Sequence, residues 1–178
     1  ERLVANLSNV LLPYQTALGA RFHPVHDRRL FIHTNSDGPI HYGNQALLVA
    51  DLDGDTLPDM CFSAPASDIA QATGFIDLRR SDDGSLLETW TDSSTDSIFA
   101  RSIADLGDLD GDFCNDILIG KPIGIENAKG LASIEVRSGL TGETLWQVSE
   151  SHASFGAALA ALGDINGDGV RDFVVGTP

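Results

Sequence analysis

The sequence predicts an all-β protein built from units of four antiparallel strands, with about two and a half units in the chain. Three observations predict it. First, an acidic motif occurs three times: Asp51-Leu52-Asp53-Gly54-Asp55, Asp108-Leu109-Asp110-Gly111-Asp112 and Asp164-Ile165-Asn166-Gly167-Asp168. Each is followed by one more Asp at its ninth position, Asp59, Asp116 and Asp172. The motifs start 57 and 56 residues apart, so the chain is an internal repeat. Second, each motif leads into a short apolar run, Met60-Cys61-Phe62, Ile117-Leu118-Ile119 or Phe173-Val174-Val175. Such runs, too short for helices and bounded by turn residues, read as buried strands. Third, alternating segments joined by Gly-containing turns come next, as expected of hairpins.

The elements follow in order. Residues 1–41 lie outside the repeat, and are expected to be the remnant of a preceding unit. There Leu3, Leu7, Val10 and Leu11 are spaced like a short helical face that Pro13 ends, and Leu30-Phe31-Ile32 before Asp37-Gly38 partly echoes a hairpin. The first repeat spans 42–98. It opens on Tyr42-Gly43, runs through the small-residue stretch Ala46 to Ala50 into the acidic loop, and reaches Pro65 after the apolar run. Its second hairpin is Ile76-Asp77-Leu78, the turn Asp83-Gly84, and Leu86-Leu87. The second repeat, 99–154, copies this with Phe99-Ala100, Pro122, Ile134-Glu135-Val136, Thr141-Gly142 and Leu145-Trp146. The third, 155–178, holds only a first hairpin, from Phe155-Gly156 to Pro178. Four-stranded units repeated at this length suggest β-propeller blades, with the small residues on innermost strands where blades crowd an axis.

Composition narrows the function classes. Of 178 residues, 26 are Asp or Glu and 11 Lys or Arg, a formal charge of −15. Such acidity argues against nucleic acid or anionic lipid as a partner. Apolar residues make up 42% and charged residues 21%, ordinary globular usage. No apolar run approaches the roughly 18 residues of a membrane span. With Glu1 first and no signal segment, the sequence is expected to be a processed protein or a fragment. Closed propellers have four to eight blades. The missing blades would then come from other segments of a longer chain or from neighbouring copies in a homo-oligomer or fibre, unless the repeats form an open arc.

The acidic loops point to calcium. Oxygen ligands at alternating positions of a tight loop can converge on one hard cation, and Ca²⁺ takes six to eight oxygens. In the first loop the set would be Asp51, Asp53, Asp55 and Asp59 with the carbonyl of Leu57. The second would use Asp108, Asp110, Asp112 and Asp116 with the carbonyl of Cys114, and the third Asp164, Asn166, Asp168 and Asp172 with that of Val170. An EF-hand would need Gly at loop position six and Glu at position twelve. Position six here is Thr56, Phe113 or Gly169, and position twelve falls inside the apolar strand. Ordinary polar turns are the plain alternative, since Asp and Gly favour turns, but three copies with one ligand spacing favour about three structural ions. Eleven of the 26 acidic residues lie at these positions, and three divalent ions would offset six negative charges.

The repeat resembles the FG-GAP repeats of integrin alpha subunits and their relatives. Tyr42-Gly43, Phe99-Ala100 and Phe155-Gly156 stand as the "FG", and Ser63-Ala64-Pro65, Gly120-Lys121-Pro122 and Gly176-Thr177-Pro178 as the "GAP". The resemblance covers 42–178. It implies calcium bound through these same loop positions.

The remaining candidates are weaker. His23, His26, His33 and His41 read as a solvated loop, and Asn6-Leu7-Ser8 is an isolated glycosylation triplet. Trp90 and Trp146 stand 56 residues apart, near equivalent positions, and read as packing at blade edges. Cys61 and Cys114 are not repeat-equivalent and read as thiols. Nothing forms a nucleophile elbow or phosphate loop, so no catalytic residue is expected. The sequence therefore predicts a non-enzymatic, calcium-stabilised adhesion or interaction module with a protein or glycan ligand, at the cell surface, outside the cell or in a periplasm. Two alternatives stand beside it: the propeller part of a secreted carbohydrate-active enzyme, and a subunit of a self-assembling extracellular structure.

Overall fold

A computed structural model of the chain describes residues 41–65, 74–93, 97–123 and 130–178. Among these residues there are ten strands and no helix. The first blade consists of β1 (Ala46–Leu48), β2 (Met60–Ala64), β3 (Phe75–Arg79) and β4 (Leu86–Thr91). The second consists of β5 (Ser102–Gly107), β6 (Asp116–Lys121), β7 (Ala132–Arg137) and β8 (Thr144–Glu150). A third unit holds β9 (Ala158–Ala161) and β10 (Phe173–Gly176). Each blade is an antiparallel meander in chain order, and β9 pairs antiparallel with β10. This is the expected all-β architecture of four-stranded blades. The readings made for residues 1–40, including the helical face, the hairpin echo, His23, His26, His33 and Asn6-Leu7-Ser8, lie outside the described residues.

The acidic loops join the first two strands of each unit, between β1 and β2, β5 and β6, and β9 and β10. Residues 52–57, 109–114 and 165–170 bend continuously there. Strands β1, β5 and β9 are first in their units, β5 and β9 carrying most of the small residues, and β5 touches both β1 and β9. Two apolar cores lie across the unit junctions. One gathers Val49, Cys61, Ile76, Leu78 and Trp90 of the first blade with Phe99, Ile103, Ile117 and Ile119 of the second. The other joins Ala104, Leu118, Ile134 and Val136 to Phe155, Leu159, Phe173 and Val175. Cys61 and Cys114 are buried free thiols.

The motif ends of the first two repeats meet. The Gly43 amide donates to the Ser63 carbonyl at 2.8 Å, and the Arg101 amide to that of Gly120 at 3.1 Å. Two segments far apart in sequence are thus one paired rim, which accounts for their constant spacing.

One sequence expectation needs correcting. Pairing sets Ile76 opposite Trp90 and Ile134 opposite Val148, so Val148 is the true counterpart of Trp90, and Trp146 that of Glu88. Trp90 is buried, its ring against Gly142 in the neighbouring blade's turn, whereas Trp146 is 45% exposed. The 56-residue interval falls short of the 57 between the first two loops and of the 58 between Ile76 and Ile134, the second repeat carrying one more residue between loop and β7 than the first does between loop and β3.

Candidate metal centre

The three loops share one hydrogen-bond pattern. In the first, Asp51 Oδ1 accepts the Gly54 and Asp55 amides at 2.7 and 3.1 Å, and its Oδ2 accepts the Thr56 amide at 2.7 Å. Asp108 does the same with Gly111, Asp112 and Phe113, and Asp164 with Gly167, Asp168 and Gly169. The third position caps the fifth: Asp53, Asp110 and Asn166 each accept an amide two residues on. The fifth caps the seventh, where the amides of Leu57, Cys114 and Val170 donate to Asp55, Asp112 and Asp168. These are the local turns that Asp and Asn form with their own backbone.

The ninth-position Asp closes each loop. Asp59, Asp116 and Asp172 use Oδ2 to accept the amides of Leu52, Leu109 and Ile165 at 2.7–2.8 Å. Asp59 and Asp116 are fully buried, because β3 and β7 run beside the strands that follow them. Asp116 Oδ1 accepts the Gly139 amide at 3.1 Å, whereas the same oxygen of Asp59 is buried without a well-formed hydrogen bond, the Ser81 amide standing at the Gly139 place.

Carboxylate oxygens converge in two loops. One each from Asp51, Asp53 and Asp59 lie within 4.8 Å of one another, and so do one each from Asp108, Asp110 and Asp116. In the third loop position three is Asn166, whose amide nitrogen donates to Asp168 Oδ2 at 3.0 Å, so there is no such carboxylate trio. Convergent hard oxygens and a buried carboxylate oxygen without a well-formed hydrogen bond suit a divalent cation, which supplies the charge that the amides do not. Burial pushes the Asp59 and Asp116 carboxyls above the ordinary range, the neighbouring loop carboxylates adding to it. At Asp51 the desolvation is outweighed by the Thr56, Gly54 and Asp55 amides, which hold it below that range. Asp164 is also held low, chiefly by the Gly169 amide.

The loops differ in their cations. Arg80, just after β3, donates Nη1 to Asp53 Oδ2 and Nη2 to Asp55 Oδ2, the latter at 2.9 Å. Asp82 grips the same guanidinium at 2.8 and 2.9 Å. In the second blade Ser138 stands at that place, and its hydroxyl donates to Asp112 Oδ2 at 3.0 Å.

The repeat agrees with the comparisons. The FG-GAP repeat model matches residues 155–178. The chain carries the FG-GAP repeat. It is 31% identical over 157 residues to integrin alpha-PS2 of Drosophila melanogaster, covering 81% of this chain and 11% of the relative. It is 26% identical over 147 residues to human integrin alpha-8, covering 77% of the chain and 14% of the relative. Integrin alpha-5 of Xenopus laevis matches at 34% over 86 residues, 44% of the chain and 8% of the relative. The chain thus spans a small part of the length of these relatives.

Sequence reasoning missed two features of the FG-GAP units. The residue after the aromatic is left-handed in all three copies: Gly43 (φ 73°), Ala100 (φ 59°) and Gly156 (φ 80°). That conformation is what the motif glycine supplies. The aromatic itself is a platform for an arginine on the third strand, Arg79 at 6.0 Å from the Tyr42 ring centre and Arg137 at 4.9 Å from that of Phe99. Each arginine is held by an acid two residues earlier, Asp77 or Glu135. The signal was present as Asp-Leu-Arg and Glu-Val-Arg at matching places, but only the fold turns them toward the aromatic.

Proposed function

We propose that this chain is a calcium-stabilised, non-enzymatic adhesion or protein-interaction module of an extracellular or cell-surface protein. The observation that carries the calcium reading is the convergence of three carboxylate oxygens within 4.8 Å in each of two equivalent loops. The ligands would be Asp51, Asp53, Asp55, Asp59 and the Leu57 carbonyl, and Asp108, Asp110, Asp112, Asp116 and the Cys114 carbonyl. The third loop offers Asp164, Asn166, Asp168, Asp172 and the Val170 carbonyl, for about three structural ions in all. The similarity to integrin alpha subunits supports the adhesive role and the setting outside the cytosol, and a protein is the partner class that it favours.

A metal in such loops would neutralise carboxylates that otherwise repel, and so hold each first hairpin closed. At an outside calcium of ~1 mM and a Kd of ~0.1–1 mM, each ion would contribute roughly 0.4–1.4 kcal/mol. Thermal melts with calcium and with excess chelator test this. A midpoint several degrees higher in calcium is expected, and identical melts would overturn the calcium reading. Attachment of cells to the immobilised chain, reversed by chelator, tests the adhesive part.

A further inference from the structure

We propose that Arg80 is an internal counter-cation that lowers the calcium affinity of the first acidic loop below that of the second. The proposal rests on the calcium reading above. The Arg80 guanidinium bridges Asp53 Oδ2 and Asp55 Oδ2, while the other oxygen of each carboxylate accepts a loop amide. The third- and fifth-position carboxylates of this loop are thus already committed on both oxygens. Asp82, in the β3–β4 turn, holds the guanidinium from its far side through Nε and Nη2.

The second blade has the same backbone without either partner. Met60 pairs with Arg79 and Ile117 with Arg137, so Ser138 is the counterpart of Arg80 and Leu140 that of Asp82. Ser138 gives Asp112 a neutral hydroxyl, and Leu140 is 50% exposed. Among the described residues no Lys or Arg pairs with Asp108, Asp110, Asp112 or Asp116. The arginine and its holder therefore differ together between two loops that share one local hydrogen-bond pattern.

The charges decide the consequence. A divalent ion entering the first loop must either displace the guanidinium or bind beside it, and both oppose binding. Without metal the same guanidinium relieves carboxylate repulsion, so the first loop keeps its shape at low calcium. The second loop, whose four carboxylates carry no direct ion pair while the nearby Arg171 is held by Asp105, takes up the ion first. The two blades would then load in sequence as calcium rises.

Calcium titration calorimetry of the chelator-stripped full chain tests this with Arg80→Ser, Arg80→Lys and the converse pair Ser138→Arg/Leu140→Asp. Arg80→Ser is expected to tighten one site about tenfold and leave the others unchanged, given a unit charge within several ångströms of the ion. Arg80→Lys, which keeps the charge, should stay near wild type, and the converse pair should weaken a different site by a similar factor. Melts in chelator should show a lower midpoint for Arg80→Ser. Binding that is present but unchanged or weakened in Arg80→Ser overturns the proposal alone. No calcium heat in any of these proteins overturns the calcium reading, and the proposal falls with it.

Discussion

At loop position six the backbone is left-handed in every copy, at Thr56 (φ 71°), Phe113 (φ 72°) and Gly169 (φ 90°). A Cβ in that region costs about 1–2 kcal/mol, and Phe113, 93% exposed, gains nothing from packing in return. Phe113→Gly is therefore expected to raise chemical-denaturation stability by about 0.5–1 kcal/mol after the added unfolded-chain freedom of glycine is subtracted. A loss of stability would show that the phenyl ring makes a contact in solution. The loop carboxylates also set a pH dependence. The Asp59 and Asp116 carboxyls are raised in the fold, so without metal their burial costs stability above their folded pKa, and that cost disappears as pH falls through it. Asp51 and Asp164 are lowered, so their contribution is present above the ordinary carboxylate pKa and is lost as pH falls through the folded value. In chelator, stability is then expected to rise as pH drops from neutral into the range just above ordinary carboxylates, and to fall at stronger acid. Calcium needs ionised ligands, so the shift it produces in the midpoint should shrink over that first interval. A shift that grows on acidification would contradict the assignment of these carboxylates.

At the scale of elements, what matters is how closely one hairpin approaches another. A methyl on Gly120 of β6 would lie 2.0 Å from the Gly156 carbonyl oxygen, a backbone atom of the next unit. Gly120→Ala is expected to cost about 1–3 kcal/mol by denaturant unfolding, since the two strands must separate to admit it. A neutral result would mean that the third unit does not sit against β6. Beside this junction Lys121 Nζ lies 2.8 Å from Asp92 and 3.0 Å from Glu135, all three largely buried. Lys121→Met leaves the largely buried Asp92 without its cation, while Glu135 keeps Arg137, for a loss of about 3–5 kcal/mol. Replacing Asp92 by Asn in the same chain should recover part of it, because the unpaired charge is then gone.

For the whole molecule, the junction of the second and third units carries an apolar cavity of about 310 Å³ lined by Leu106, Val136, Trp146, Val170 and Phe173 among others. Trp146 meets the Phe173 ring edge at 6.1 Å and remains half exposed, whereas Trp90 is sealed between the two blades. Acrylamide should therefore quench about half of the tryptophan emission strongly, and Trp146→Phe should remove most of the quenchable part. Equal protection of both indoles would show that Trp146 is covered in solution.

The repeat, the four-strand unit, the hairpin connected by an acidic loop and the loop residues themselves were legible in the sequence. Each depends on local rules: period-two apolar runs, Asx turns and glycine at left-handed positions act within about ten residues. The extra residue before β7 was legible too, but its effect on the tryptophans was not, because register is set by pairing across strands. Tertiary structure alone decided the rest. It placed Arg80, 21 residues beyond Asp59, onto the carboxylates of the first loop, and Ser138 at the same place in the second. Sequence spacing shows that the acidic loops are copies of one another. Which charge faces each loop depends on a side chain from another hairpin, and only the packed blade brings it there.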